Sequence, residues 1–292
     1  MLTNVLMIAY GPITNLHQSL FSLTSLYKFK NALQAIHKIL IYTDNPSIFN
    51  NFFKSEKVET IPLSTDKIKK WRGPKDFVHR LKLEAMKDTF KNYPTDNLFY
   101  VDSDTYFTKS PLHLFNALNG GTSVMHINEG QLKITKDILL RKIYKFAKKN
   151  PIKVKNGNVA FKKDHCMWNA GVIGLSPENS HLLDIMLSYA DQAYDLYPKF
   201  VMEQWAVSLV LQNYTKILPA SKEIFHYWNN KDAYNENIAA YLKNNTSISL
   251  ASECLNTFSY PPEPVKKKYF LKKLVPFRIL HTNIKNVNTH SK

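Results

Sequence analysis

Glycine is scarce in this chain, with 8 in 292 residues. Neither GxxxxGK[ST] nor GxGxxG occurs, which excludes a glycine-rich phosphate cradle of either kind. Cysteine is scarcer still. Cys166 and Cys254 stand alone, and neither belongs to a CxxC motif. That argues against a disulfide scaffold and suits a reducing compartment. No apolar run is long enough to span a bilayer. The opening MLTNVLMIAYG has no basic leader, and its apolar run is too short for a signal peptide, so it reads as a first strand. The expectation is a cytoplasmic protein, with peripheral contact at the inner face of the membrane as an option.

Acidic residues are also short in number. There are 23 Asp and Glu against 39 Lys and Arg, a formal charge of +16. Such a surplus favours an anionic partner: a nucleotide, a nucleic acid, a phosphorylated glycan or an anionic membrane. It does not choose among them. What is abundant is apolar matter, 44% of the chain, with 13% aromatic. A sizeable packed core follows, and disorder is excluded for most of the length.

Short apolar runs alternate with longer amphipathic stretches. Val5–Ala9, Ile39–Thr43, Thr60–Leu63, Leu98–Val101, Ser123–Ile127 and Gly171–Leu175 read as buried strands. Leu16–His37 and Asp76–Asn92 read as helices, the second with Asp76 as N-cap. Another helix runs from Val201 to about Asn213. Strands separated by helices predict an α/β fold: a mixed, mainly parallel central sheet flanked by helices. Ligands of such sheets bind beyond the C-terminal strand ends. Two stretches are strongly basic. Gly130–Lys163 holds eleven Lys/Arg against one acid, Asp137, and its middle, Ile134–Lys149, has the spacing of a basic amphipathic helix. Pro264–Leu280 holds six Lys/Arg and no acid, interleaved with aromatics.

The stretch LFYVDSDTYF places Asp102 and Asp104 directly after an apolar strand. On an extended strand end, residues i and i+2 point the same way. Their carboxylates could share one divalent cation, with a nucleoside diphosphate completing its coordination. The competing reading is an acidic turn cap. In WNAGVIGL, Asn169 precedes a small pair that allows close backbone approach. In EQW, Glu203 and Gln204 are adjacent on a helix and face different ways. A buried Glu203 would need a cationic partner, and Arg80 is the candidate. Arg80 and Lys82 of HRLKLEA read equally as a solvated helix face. In HYWNNKD, the imidazole of His226 suits Mn²⁺ beside carboxylates, and Lys231 could reach a phosphate from the same loop.

Together and in this order, IAYG, RLKL, FYVDSDTYF, NAGVIGL, EQ and HYWNNK resemble the motifs of nucleotide-sugar glycosyltransferases of the GT-A fold, most closely glycosyltransferase family 8. The resemblance covers Met1 to about Lys231. It implies a metal-dependent transfer, retaining as in that family, of a hexose from a UDP-sugar donor to a glycan or lipid-linked glycan acceptor. Asp102, Asp104 and His226 would ligate Mn²⁺ or Mg²⁺. Ala9 and Tyr10 would lie at the uridine, with Asp102 and Ser103 at the nucleotide and Lys231 on the diphosphate. Arg80 would contact the donor sugar and pair with Glu203, while Asn169 and Gln204 face the transfer centre. Departures from the family pattern are a Glu-Gln where Asp-Gln is usual, a late loop without its Gly and Pro-Trp, and a short span from Gln204 to His226.

The implied layout is a glycosyltransferase domain over 1–235, donor-binding to about 125 and acceptor-side over 126–235. A C-terminal extension with the second basic patch follows over 236–292. If the reaction instead inverts, Glu203 or Asp164 would be the first suspects for a base. A sugar-nucleotide nucleotidyltransferase is the nearest alternative, weakened by the missing glycine-rich loop. A non-enzymatic nucleic-acid binder ranks last: no RNA-binding signature is present, and nucleic acid gives no reason for the Asp pair.

Overall fold

The computed structural model describes residues 1–154, 157 and 159–262. The basic stretch Pro264–Leu280 lies outside the described residues. The strands are β1 (Thr3–Ala9), β2 (Ile36–Thr43), β3 (Val58–Pro62), β4 (Asn97–Val101), β5 (Thr105–Phe107), β6 (Ser123–Met125), β7 (Asn128–Gln131), β8 (Cys166–Trp168), β9 (Val172–Leu175), β10 (Ile217–Pro219) and β11 (Ile224–His226). The helices are α1 (Ile13–Tyr27), α2 (Lys30–Ala35), α3 (Pro46–Phe52), α4 (Thr65–Arg72), α5 (Arg80–Asn92), α6 (Leu112–Leu118), α7 (Ile138–Lys149), α8 (Leu182–Leu196), α9 (Val201–Tyr214), α10 (Lys231–Asn244) and α11 (Ile248–Glu253). Among the described residues, no helix is long and apolar enough to cross a membrane.

Seven strands form the central sheet in the order β10-β6-β9-β4-β1-β2-β3. All neighbours run parallel except β9, which is antiparallel to both β4 and β6. This is the mixed, mainly parallel α/β sheet expected from the alternation of apolar runs. Both faces are covered, which is why the strands read as unbroken apolar runs. Successive residues serve opposite faces. Leu6, Leu40, Tyr42 and Tyr100 pack against α5, α8 and α9. Val5, Met7, Ala9, Ile41 and Val101 pack against α1, α3, α6, α10 and α11.

Two expected helices begin or end elsewhere. The predicted Leu16–His37 helix breaks at Phe29, whose backbone (φ −106°, ψ 79°) leaves the helical region. Ile36 already belongs to β2, opposite Thr3 of β1. Helical periodicity continued through the break because both pieces bury apolar residues. Asp76 is not an N-cap. It sits at φ 52°, a left-handed conformation that Asp tolerates. Its carboxylate pairs with Arg72, and α5 starts at Arg80.

Two short antiparallel ribbons stand apart from the main sheet. β11 pairs with β5, setting His226 opposite Thr105. β8 pairs with β7, setting Trp168 opposite Asn128. Their strands β5, β7 and β11 follow β4, β6 and β10 in the chain, and β8 precedes β9. They bring residues distant in sequence to the end of β4.

Candidate metal and donor site

β4 ends at Val101, and the chain then loses its ladder partner except for one bond: the Asp102 amide donates to the Gly171 carbonyl at 2.8 Å. That bond holds Asp102 at the C-terminal end of β4, between β9 and β1. Its Oδ1 accepts from the Tyr100 hydroxyl at 2.5 Å and lies 3.3 Å from the Lys82 ammonium. Asp104 is almost wholly buried. Its Oδ1 lies 3.3 Å from His226 Nε2, and its Oδ2 lies 2.8 Å from Lys231 Nζ. Asp102 Oδ2 is 3.9 Å from the same His226 nitrogen. One ligand atom from each of Asp102, Asp104 and His226 therefore falls within 4.8 Å of the others. Two hard carboxylates and a borderline imidazole are donors that suit Mn²⁺ or Mg²⁺.

The histidine is aimed by its surroundings. Asn169 Oδ1 accepts from the Gly171 amide at 2.9 Å, and Asn169 Nδ2 donates to Glu129 Oε1 at 3.0 Å. The amide orientation is thereby fixed. His226 Nδ1, 3.1 Å from the same Oδ1, must donate to it. In the neutral form that ligates a cation this leaves Nε2 with its lone pair toward the carboxylates, the usual way an outer partner orients a ligating histidine; when no cation is bound, a proton on Nε2 is donated to Asp104 instead.

Gly171 makes the arrangement possible. A β-carbon there would stand 2.3 Å from His226 Nδ1 and 2.4 Å from Cε1. The close backbone approach expected at NAG is real, and its occupant is the histidine ring. Gly171→Ala should push that ring off the carboxylates and weaken Mn²⁺ binding by about 10–100-fold, the usual cost of disturbing a ligand's outer support. Titration of free Mn²⁺ by electron paramagnetic resonance measures this directly. An unchanged affinity would mean that His226 is not a ligand.

The expected Arg80–Glu203 pair does not form. The Arg80 guanidinium donates to Asp191 at 3.0 Å, to Glu84 at 2.6 Å and to the Trp71 carbonyl at 2.9 Å. Lys82, two residues on along α5, points inward instead. It is nearly fully buried, donates to the Ala170 carbonyl at 2.9 Å and lies 3.7 Å from Glu203 Oε1. The one-sided stripe of a short helix decides this: Lys82 follows Leu81 onto the core face, while Arg80 stays on the rim with α8. Burial lowers the ammonium's affinity for its proton, but Asp102 and then Glu203 outweigh that and raise it. Lys82 is therefore charged, one cation between two acids. Burial pushes Glu203 up to about 7 despite Lys82. Its Oε1 has no hydrogen-bond partner.

The other expected residues are placed as follows. Gln204 turns away from Glu203, as adjacent helical residues must. Its Nε2 donates to Glu129 Oε2 at 2.9 Å. Glu129 thus ties Asn169 to Gln204. Ser103 donates from Oγ to Gln18 Oε1 at 3.3 Å. Ala9 is wholly buried in the core, so the expected nucleotide contact is not open to it. Tyr10, half-buried at the end of β1, is accessible, and Gly11 beside it donates to Asp44 Oδ2 at 2.9 Å.

Three residues at the site had no signal in the sequence. Glu129 lies in a loop-like NEGQ. Lys82 was read as a solvated helix face. His126 packs edge-on to His226 with ring centroids 5.3 Å apart, and its Nε2 donates to the Ile224 carbonyl, 3.0 Å away. Burial chiefly, then the charge of His226, lowers His126 to about 4.

No protein-family model and no curated protein sequence matches the chain. Among solved structures it is similar to mouse xyloside xylosyltransferase 1 in its apo form. The identity is 14% and the TM-score 0.46, over 75% of this chain and 85% of that one. It is also similar to galactosyltransferase LgtC in complex with donor and acceptor sugar analogues. There the identity is 10% and the TM-score 0.47, over 89% of this chain and 98% of that one.

Proposed function

We propose that this chain is a metal-dependent glycosyltransferase. It moves a hexose from a UDP-sugar to a glycan or lipid-linked glycan acceptor, with retention at the anomeric carbon. The observation that carries the reading is the meeting of Asp102, Asp104 and His226 at the end of β4, with Lys231 beside them. Only the order of motifs speaks for UDP and for a hexose; the geometry speaks for a cation and a diphosphate.

Asp102, Asp104 and His226 would hold Mn²⁺ or Mg²⁺, and Ser103 would add contacts to the nucleotide. Bound there, the ion supplies Lewis-acid neutralisation of the charge that develops on the departing diphosphate. Lys231 sits on Asp104 with about half its side chain exposed, 46%. In that position its ammonium does part of a cation's work, and on donor binding it can turn to the phosphates. Tyr10 offers a flat, half-buried face to the base. Gln204 and Asn169, held through Glu129, border the space where the acceptor must approach.

Arg80, engaged with Asp191 and Glu84, braces α5 against α8 and does not reach the donor. Glu203 is walled in by Lys82, so it is no acceptor base. With Glu203 closed off and Glu129 engaged by two amides, the leaving phosphate oxygen is the group that takes the acceptor proton, as retention allows. One observation favours a second reading. Glu129 is an exposed carboxylate held at the site by two amides, a suitable base for inversion. The anomer of the product, read by proton NMR, separates the two.

The function is tested by incubating the protein with UDP-, GDP- and CMP-sugars in Mn²⁺ and analysing the products. UDP release from a UDP-hexose that stops in chelator is expected. Full activity in chelator would sink the metal-dependent reading. Pyrophosphate in place of UDP would turn the assignment to nucleotidyl transfer.

A further inference from the structure

A groove of about 520 Å³ lies along α7, away from the carboxylates and His226. Lys133, Arg141, Lys145, Lys148 and Lys149 line it, with Leu132 and Tyr144, and no carboxylate does. None of these five cations is in an ion pair among the described residues. Arg141, Lys145 and Lys148 follow at i, i+4 and i+7, so they stack on one face of the helix. Like charges so spaced cost the helix about 0.2–0.5 kcal/mol per pair. A concave site concentrates that potential, and a polyanion relieves it.

The groove is joined to the proposed reaction centre by one strand. Glu129 of β7 bonds Asn169 and Gln204, and β7 runs straight into Leu132 and Lys133. Lys133 lies four residue steps beyond Glu129, a span of at most about 14 Å of extended chain. A ligand seated in the groove and reaching the amides is therefore a short, extended one.

We infer that this groove binds the phosphate groups of an anionic oligosaccharide acceptor and that Lys145 and Lys148 are its principal contacts. The inference rests on the glycosyltransferase reading above and adds the acceptor's charge. Two features favour an oligosaccharide over a membrane surface. A flat bilayer does not fill a concave groove. And α7 spends its apolar stripe, Leu140, Ile143, Phe146 and Ala147, on the core, so no outward stripe is left to enter lipid. The exposed Ile134 and Ile138 stand at the opposite end of the helix from Lys148 and Lys149.

The test compares the full chain with the double variant Lys145→Glu/Lys148→Glu, in chelator to silence the metal site. The probes are a fluorescent phosphorylated pentamannose, its dephosphorylated form, and phosphatidylcholine vesicles with and without phosphatidylglycerol. The phosphorylated sugar should bind at least about tenfold tighter than the dephosphorylated one, a difference of about 1.4 kcal/mol. The double variant should lose that preference yet, assayed separately in Mn²⁺, release UDP from the donor, with water as acceptor, at the wild-type rate. Equal binding of both sugars, or no effect of the double variant, overturns the inference. Binding of phosphatidylglycerol vesicles that needs Lys145 and Lys148, without binding of the phosphorylated sugar, also overturns it in favour of a membrane. Because the binding measurements need no metal and UDP release does, loss of the groove leaves UDP release standing, and loss of UDP release leaves the groove standing.

Discussion

Asp104→Asn should lower metal-dependent UDP release by about 10²–10³-fold or more, the range seen when one electrostatic support of a transition state is removed. The amide keeps the shape of the carboxylate and removes its charge. His226 Nε2 and the Lys231 ammonium then lose the anion between them. Folding tolerates this because Lys231 can turn to water. Burial alone would raise the Asp104 carboxyl, but hydrogen bonding and attraction from His226, then from Lys231, more than reverse it, so it titrates well below the usual range. A depressed carboxyl stabilises the native state above its unfolded pKa, and that contribution fades as pH falls. The Asn variant should therefore be less stable than wild type at neutral pH and approach it in acid. Near-UV circular dichroism reports the fold, and UDP release reports the chemistry. A folded Asp104→Asn protein with wild-type turnover would remove the basis for the metal site.

The second large effect is expected at a residue that no motif marks. Lys82→Met should cost about 3–5 kcal/mol, the usual loss when one partner of a buried ion pair is removed. The methionine fills much of the space, so the loss is electrostatic: Asp102 and Glu203 are left with no cation between them. The pH dependence identifies the mechanism. Glu203 in the native protein stands at about 7, above the ordinary 4.5, because burial outweighs Lys82. A raised carboxyl favours the native state below its unfolded pKa, and that advantage drains away as pH rises to 7. Without Lys82 the carboxyl rises further, so the drain continues into alkaline pH. Urea unfolding of both proteins at acid and alkaline pH measures the difference. Lys82→Met/Glu203→Leu should regain part of the loss. If Lys82→Met costs less than about 1 kcal/mol at every pH, the pair is only surface-like in strength.

The sheet was legible because a strand buried on both faces must be apolar throughout, and the runs at Val5, Ile39, Leu98 and Gly171 had no other reading. The grouping of Asp102, Asp104 and His226 was legible in part: two acids at a strand end suggest a shared cation, while the late histidine entered through the family resemblance. Partnerships were not. Arg80 and Lys82 lie two residues apart on one helix, and only the packing of α5 against α8 and α9 decides which one turns inward. Glu129 gained its place by a ribbon pairing between β7 and β8, three-dimensional information that a polar NEGQ does not carry. Asp76 looked like a cap because Asp is good at that, and its left-handed backbone is invisible in composition. Motif position points to Ala9 as a ligand contact, yet β1 is covered on both faces and Ala9 is wholly buried.

The ribbon of β5 and β11 has a consequence in time. Each strand has three residues, and their pairing joins positions near 105 to positions near 225. Closing so long a loop carries an entropic charge that three residue pairs cannot meet alone, and distant contacts of this kind form late. The ribbon is braced where Tyr227 stacks on Tyr234 of α10, ring centroids 4.0 Å apart, and where the Tyr227 amide donates to the Asp104 carbonyl at 3.0 Å. On a growing chain, then, the two aspartates emerge long before the histidine that completes them. The half-made protein has no ion-binding cage to be misled by. The cation proposed for Asp102, Asp104 and His226 would then bind only to a molecule whose sheet is already built.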